Sequence, residues 1–412
     1  HLGAAQADCS MSSVPVVRSD VAVMSLLRRS SSNFESAMEA RPVMKGKTLA
    51  VACGAVSLAV AVAVVRRWQR KSIHALPRRR LGKTGLHVTV VSLGGVGLGG
   101  KADDELYGGI TDEAAIATVH RAIARGINFI DTSPLYRESE RRIGLALEAL
   151  SEVERARIHV GTKVGDDCPP FSDNGGHSPF SYDGVMCSIR HSLKQLRVVK
   201  RLATVLLHDP TLAELDEFVA PGGGLEALCE LQSQGVVGHI GIGCVEHEVH
   251  AAFMSKVRDA AVLLSVNDYN LLRRFGASAS WAEAAALGVG VLNAGVFYMG
   301  LLADPLASWQ MGFKAGLGQP ELRALARDMG VWAQGRAVEL RTLALQFGTM
   351  HPCVASCPIG CRSPEEVDEV CDSMLEHVPQ AVWRDFYEAF EPRVAALGRE
   401  AHWYYDKSAS KI

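Results

Sequence analysis

From Arg79 onward the chain alternates short apolar runs with amphipathic helical patterns, and the alternation repeats eight times. HVTVVSLGG precedes EAAIATVHRAIARG, INFIDTS precedes SERRIGLALEAL, and IHVGTKVG precedes DGVMCSIRHSLKQL after a longer loop. ATVLLHDP then leads to GLEALCELQSQG, GHIGIGC to HEVHAAFMSKV, and AAVLLSVNDYN to WAEAAALG. GVGVLNAGV leads to a longer helical stretch from Pro320 to Gly348, and CVASCPIG to SPEEVDEVCDSML. Leu322, Leu325, Ala326 and Met329 share one helical face, as do Val367, Val370, Cys371, Met374 and Leu375. The strands are apolar on both faces, which means a parallel sheet covered on both sides. Eight such units in about 290 residues is the count of a closed α/β barrel, the (β/α)8 or TIM architecture.

A doubly wound sheet is the rival. Its best support is GGVGLGG, where Gly95, Gly97 and Gly100 fit a dinucleotide fingerprint. KADDELYGG follows those glycines instead of a helix start, and no acidic residue ends the next strand at the required distance of about twenty. The run reads as a flexible first βα loop.

The barrel is expected over residues 78–390, with a C-terminal tail over 391–412. Ahead of it, residues 1–47 read as a leader expected to be disordered, and 66–77 as a basic linker. Residues 10–34 carry eight Ser and three Arg with few acids, in the manner of a targeting segment. Thr48 to Val65 is uncharged over eighteen residues, near the lower limit for a transmembrane helix. The heavier positive flank follows it, at Arg66, Arg67, Arg70 and Lys71, and favours a barrel on the cytoplasmic side. The expectation is an intracellular protein, either tethered to a membrane through 48–65 or targeted to an organelle with the leader removed. Translated upstream sequence is a further alternative, since His1 is not an initiator.

Two function classes fall away on composition. A net charge of −2 argues against a dedicated nucleic-acid binder. The ten cysteines lack zinc-module spacing. Cys353, Cys357 and Cys361 recur every fourth residue, but CVASCPIGC reads as a strand, which does not gather such positions, so no metal is expected.

In a barrel of this kind the chemistry sits where strands end. INFIDTS ends on Asp131, with Tyr136 in the loop that follows; HVGTKV carries Lys163; ATVLLHDP ends on His208. Three successive strands, about 4.8 Å apart, thus bring a polar group to one rim. A phenol titrates near 10 and is a poor acid–base group at neutral pH. An adjacent ammonium favours the phenolate, and a carboxylate keeps that ammonium charged. Asp131 and Lys163 would tune Tyr136 while His208 orients a carbonyl or alcohol. Each residue alone has a plainer reading: Asp131 as a helix cap, Lys163 as a satisfied rim lysine, His208 as a turn residue.

GINFIDTSPLY, HVGTKVG, LLHDP and GCRSPEEVDE, in that order, resemble the aldo-keto reductase superfamily over roughly residues 78–390. SYDGVMCSIRHSLKQL, GVGVLNAGVF followed by GLLA, and ALQFGTMHPCVASCPIGCRSPEEV resemble its D-threo-aldose 1-dehydrogenase, or L-fucose dehydrogenase, branch, near the L-galactose and pyridoxal 4-dehydrogenases. The resemblance implies a barrel binding NADP or NAD without a Rossmann domain, and a catalytic tetrad of Asp131, Tyr136, Lys163 and His208. It implies oxidation of the C1 hydroxyl of an aldose to a lactone, with Tyr136 taking the proton. Gly360, Arg362, Ser363, Glu366 and Glu369 match the segment that grips the adenosine half, with Arg362 and Ser363 placed to hold a ribose 2′-phosphate. Asn267, Phe297 and Gly300 are the candidates near the nicotinamide.

The chain departs from the pattern at several points. Gly243 and Cys244 stand where Ser-Asn is frequent, Val370 where an adenine-contacting Asn is common, and Arg137 where Gly usually follows the tyrosine. Residues 197–203 lack the usual Gly-Leu-Asp turn. The alternative activity is an NADPH-dependent aldehyde or ketone reductase, since the same tetrad runs in either direction. A non-catalytic nucleotide sensor, like the potassium-channel β-subunits of this fold, is the third reading.

Overall fold

The computed structural model describes residues 75–100, 109–165, 177–275, 280–305 and 320–397. The segment 48–65 lies outside them, and among the described residues no helix is long and apolar enough to cross a membrane.

A short antiparallel hairpin, β1 (Arg78–Arg80) and β2 (His87–Thr89), comes first. Eight parallel strands follow: β3 (Val91–Gly94), β4 (Phe129–Asp131), β5 (His159–Val164), β6 (Leu202–His208), β7 (Val237–Cys244), β8 (Val262–Val266), β9 (Gly290–Ala294) and β10 (Val354–Gly360). They close in sequence order, with β10 pairing β3. The fold is a (β/α)8 barrel. Phe129, Leu206, Val262, Leu264, Leu292 and Ala355 fill its interior, while Leu93, Ile130, Val205, Leu207, Ile242 and Leu263 join the larger core shared with the helices. Alternate residues of one strand therefore serve two cores, which is why the strands read as continuous apolar runs.

HVTVVSLGG is not one strand. It breaks after Thr89 because the side chain of Asn128 captures the hairpin: its Oδ1 accepts from the Thr89 amide at 2.8 Å and its Nδ2 donates to the His87 carbonyl at 2.8 Å. Leu81 and Val88 from the hairpin join the interior cluster, and Arg79 donates to the Thr349 and Val354 carbonyls at 2.6 and 2.7 Å. The hairpin plugs the amino end of the barrel.

The long helical stretch from Pro320 to Gly348 is two helices, Pro320–Gln334 and Leu340–Met350. Ala337 sits at φ 53, and Gly335 through Glu339 turn the chain between them. The second belongs to the barrel; the first packs with the helix Gln380–Ala395 around Leu271, Leu302, Met329 and Phe386. That last helix runs past residue 390. Leu212–Val219 is a short helix outside the eight units, opened by a capping box of Thr211 and Glu214.

Candidate active site

Register places the rim residues. Asp131 pairs with Gly161, two positions before Lys163; Lys163 pairs with Leu206, two before His208. Even steps preserve the face of the sheet, and Phe129 and Leu206 belong to the barrel interior. Asp131, Lys163 and His208 therefore all point inward at the carboxyl end. Beyond His208 the same register continues through Gly243, which carries no side chain, and then Val266 and Ala294. One half of the rim is polar and titratable; the other is small and apolar.

Lys163 is 1% exposed. Its Nζ donates to Asp131 Oδ2 at 2.7 Å and to the Thr132 carbonyl at 2.9 Å, and it hydrogen-bonds the Tyr136 hydroxyl as well. Nζ lies 4.8 Å from the centre of the Tyr136 ring. Burial on its own lowers the affinity of this amine for its proton; the Asp131 carboxylate and then the Tyr136 oxygen more than offset it, so the ammonium is held charged well above neutral pH. The Tyr136 and His208 rings meet edge to face, centroids 5.7 Å apart. Ser133 Oγ lies 3.2 Å from His208 Nδ1 and also caps the turn Pro134–Tyr136 by accepting from the Leu135 amide at 3.1 Å. One serine thus fixes both the histidine ring and the loop that carries the phenol. The sequence signal for this role was the place of Ser133 between Asp131 and Tyr136.

The other candidates fall into two groups. Asn267 follows β8 at φ 56, is 6% exposed, and its Oδ1 is buried with no hydrogen-bond donor among the described residues. A Cβ on Gly295 would overlap that oxygen, so the amide rests directly on the backbone after β9. Phe297 packs against both the main core and the outer helical cluster, and Gly300 ends a turn in which Tyr298, Met299 and Gly300 all have positive φ. The second group follows β10. Gly360 is exposed at the strand end, and Ser363 caps the helix Pro364–Leu375 by accepting from the Glu366 amide at 3.2 Å. Arg362 is exposed; its backbone amide donates to Glu366 Oε2 at 2.7 Å, and its guanidinium lies 3.8 Å from the same carboxylate. Glu369 pairs with Arg341 at 2.5 Å. Val370 is buried in the main core.

Cys357 and Cys361 are buried, and no cluster of metal-ligating groups forms among the described residues. An unanticipated charged cluster sits beside Asn267. Asp268, fully buried, is 2.9 Å from Arg273 and 2.6 Å from His247. Its partners come from two separate segments, so no spacing in the sequence announced it.

Fold and site together are those of a (β/α)8 barrel that gathers a carboxylate, an ammonium, a phenol and an imidazole at its carboxyl rim. The chain belongs to the aldo/keto reductase family, whose sequence model matches residues 90–389. It is 28% identical over 338 residues to the pyridoxal 4-dehydrogenase of Microbacterium luteolum, covering 76% of this chain and 96% of that protein. It is 30% identical over 308 residues to the L-galactose dehydrogenase of Arabidopsis thaliana, covering 72% and 88%. It is 27% identical over 326 residues to a Pseudomonas D-threo-aldose 1-dehydrogenase, covering 74% and 95%. An aldo-keto reductase of Bacillus halodurans, in its holo form, shares the fold with a TM-score of 0.58 and 22% identity, over 79% of this chain and 99% of that one. The chain is an NAD(P)-dependent oxidoreductase.

Proposed function

We propose that this enzyme oxidises the C1 hydroxyl of an aldose of the L-fucose, L-galactose or D-arabinose type to the lactone, with Tyr136 as the general base. The observation that carries the reading is the buried Lys163 ammonium between the Asp131 carboxylate and the Tyr136 hydroxyl. In the phenolate form Tyr136 accepts the proton of the C1 hydroxyl. A nicotinamide, when bound, would supply the acceptor for the hydride released from C1. Lys163 stabilises the phenolate oxygen by donating to it; Asp131 holds Lys163 in place; His208, fixed by Ser133, orients the sugar oxygen. Run backwards, Tyr136 protonates a carbonyl oxygen, which is the reductase reading.

The residues present suit a dinucleotide. The unsatisfied Asn267 Oδ1 matches the amide donor of a nicotinamide carboxamide, in place of the Ser-Asn pair replaced by Gly243 and Cys244. A buried acceptor left without a donor costs about 1–3 kcal/mol, so a ligand that satisfies it is favoured. The capped start of the helix Pro364–Leu375, with Arg362 and Ser363 beside it, suits a phosphate. The sugar class rests on the L-galactose and D-threo-aldose dehydrogenases among the relatives.

The test is turnover of the purified full chain with L-fucose, L-galactose, D-arabinose and simple aldehydes, each with both nucleotides. Lactone formed with stoichiometric NADH or NADPH supports the proposal. Aldehyde reduction with no sugar oxidation moves the assignment to the reductase. Nucleotide binding without turnover on any substrate rejects catalysis.

A further inference from the structure

The glycine run GGVGLGG is neither a dinucleotide fingerprint nor slack in a loop. Gly95–Leu98 form a 3-10 turn after β3, and its alternate glycines lie against three different parts of the site. A Cβ on Gly95 would come within 2.6 Å of Ser139 Oγ and 2.8 Å of Thr132 Oγ1, two hydroxyls that hydrogen-bond each other at 2.8 Å. A Cβ on Gly97 would meet the Cys361 carbonyl at 3.1 Å, its amide at 3.3 Å and Arg362 Cγ at 3.4 Å. A Cβ on Gly99 would overlap the carbonyl oxygen of Tyr136. None of the three has a positive φ, so glycine is required here by closeness and not by backbone conformation.

We infer that this turn is a spacer that sets the position of Tyr136 on one side and of the Cys361–Arg362 segment on the other. The inference rests on the reading that Tyr136 is the acid–base group and that the Arg362 segment holds nucleotide. The turn is the stiffer partner. Arg142, only 4% exposed, donates to the Leu98 and Gly100 carbonyls at 2.6 and 2.8 Å and to the Ile110 carbonyl at 2.8 Å, and pairs with Asp112 at 2.8 Å. Tyr136 is followed by Arg137 at φ 49, a joint that side chains seldom adopt. A methyl at position 99 would therefore displace the tyrosine segment, drawing the phenol from Lys163. A methyl at position 97 would displace Cys361 and Arg362, leaving the phenol in place. Gly97 and Gly99 are positioning residues for different partners.

The experiment separates the two on the full chain. The titration of Tyr136 is read as the tyrosinate absorbance lost in Tyr136→Phe, and NADPH affinity is read by fluorescence titration. Gly99→Ala is expected to raise the apparent Tyr136 pKa by about one unit, roughly tenfold in proton affinity, with NADPH affinity within twofold of wild type. Gly97→Ala is expected to weaken NADPH severalfold with the phenol titration unmoved. Arg142→Lys, which slackens the turn from behind, should move the phenol titration in the same direction and stands in if Gly99→Ala does not fold. A phenol titration unmoved in both Gly99→Ala and Arg142→Lys overturns the inference, as do equal effects of the two glycine variants on both readouts. If Tyr136→Phe instead turns over at the wild-type rate, it is the assignment of Tyr136 that fails.

Discussion

Nζ of Lys163 and Oδ2 of Asp131 stand 2.7 Å apart inside the barrel, with side-chain exposures of 1% and 5%. Neither charge is tolerable there alone, and desolvating both gives little net stability even when paired. A pair of apolar side chains would serve the fold equally well. The arrangement is explained by what the ammonium does next: having donated to Asp131 Oδ2 and the Thr132 carbonyl, it directs a further N–H to the Tyr136 oxygen.

Tyr136→Phe removes the hydroxyl proposed to carry the proton and leaves the ring in its edge-to-face contact with His208. Turnover is expected to fall by about 10²–10⁴-fold, the usual worth of a positioned acid–base group. Nucleotide affinity should stay near wild type, because the hydroxyl acts on the substrate. Steady-state rates beside a fluorescence titration read both; a fully active variant removes Tyr136 from the mechanism.

Lys163→Met should be equally damaging to turnover and, unlike the tyrosine change, damaging to stability. It strands the Asp131 carboxylate in a buried site, a loss of roughly 3–5 kcal/mol. Adding Asp131→Asn to it should recover much of the melting temperature and none of the activity. Because the folded pKa of Lys163 is raised, its contribution to stability is complete below the unfolded value of about 10.4 and fades only as pH climbs toward the folded one. The wild-type protein should therefore show no loss from this pair between pH 6 and 9.

How much of this was legible follows from where each signal lies. Asp131, Lys163 and His208 continue the inward-facing positions of Phe129, Gly161 and Leu206 by steps of two, so strand periodicity plus strand order was enough to gather them. The break at Thr89 was hidden because it is made by a side chain, Asn128, from the next strand unit. The turn after Gln334 was hidden because Gly335 through Glu339 interrupt a pattern whose apolar spacing resumes at once. The Asp268–His247–Arg273 cluster left no trace for a different reason: ion pairs between segments impose no period on either. The glycine run was visible, but its purpose lay in what it touches.

His250 is fully buried on the helix His247–Lys256 and is expected to contribute to the acid sensitivity of the fold. Burial, and then the neighbouring charge of His247, push its pKa down to about 3, against a partial offset from Asp268. Its Nδ1 lies 3.3 Å from Ser280 Oγ and its ring 5.5 Å from that of His247. Below pH 6.5 the unfolded chain binds a proton here that the folded chain refuses, so stability falls as the pH drops toward the folded value. Melting temperature should drop between pH 6.5 and 4, and the drop should be shallower in His250→Gln. Parallel curves for the two proteins would assign the acid sensitivity elsewhere.

Arg362 decides between the two nucleotides if it reads the ribose 2′-phosphate. It is exposed, and its guanidinium is only loosely held, 3.8 Å from Glu366, so it is able to swing onto an anion without breaking a tight pair. A phosphate there would also meet the Ser363 hydroxyl and the start of the helix it caps. Arg362→Ala should weaken NADPH by about tenfold or more, the worth of one charge-assisted hydrogen bond. NADH, with no 2′-phosphate, should lose less than twofold. Glu366→Gln should act in the opposite direction, because it removes a carboxylate that competes with phosphate for the arginine and for the helix start. Fluorescence titration of the three proteins with both nucleotides reads every arm, and equal losses for NADH and NADPH in Arg362→Ala remove the assignment.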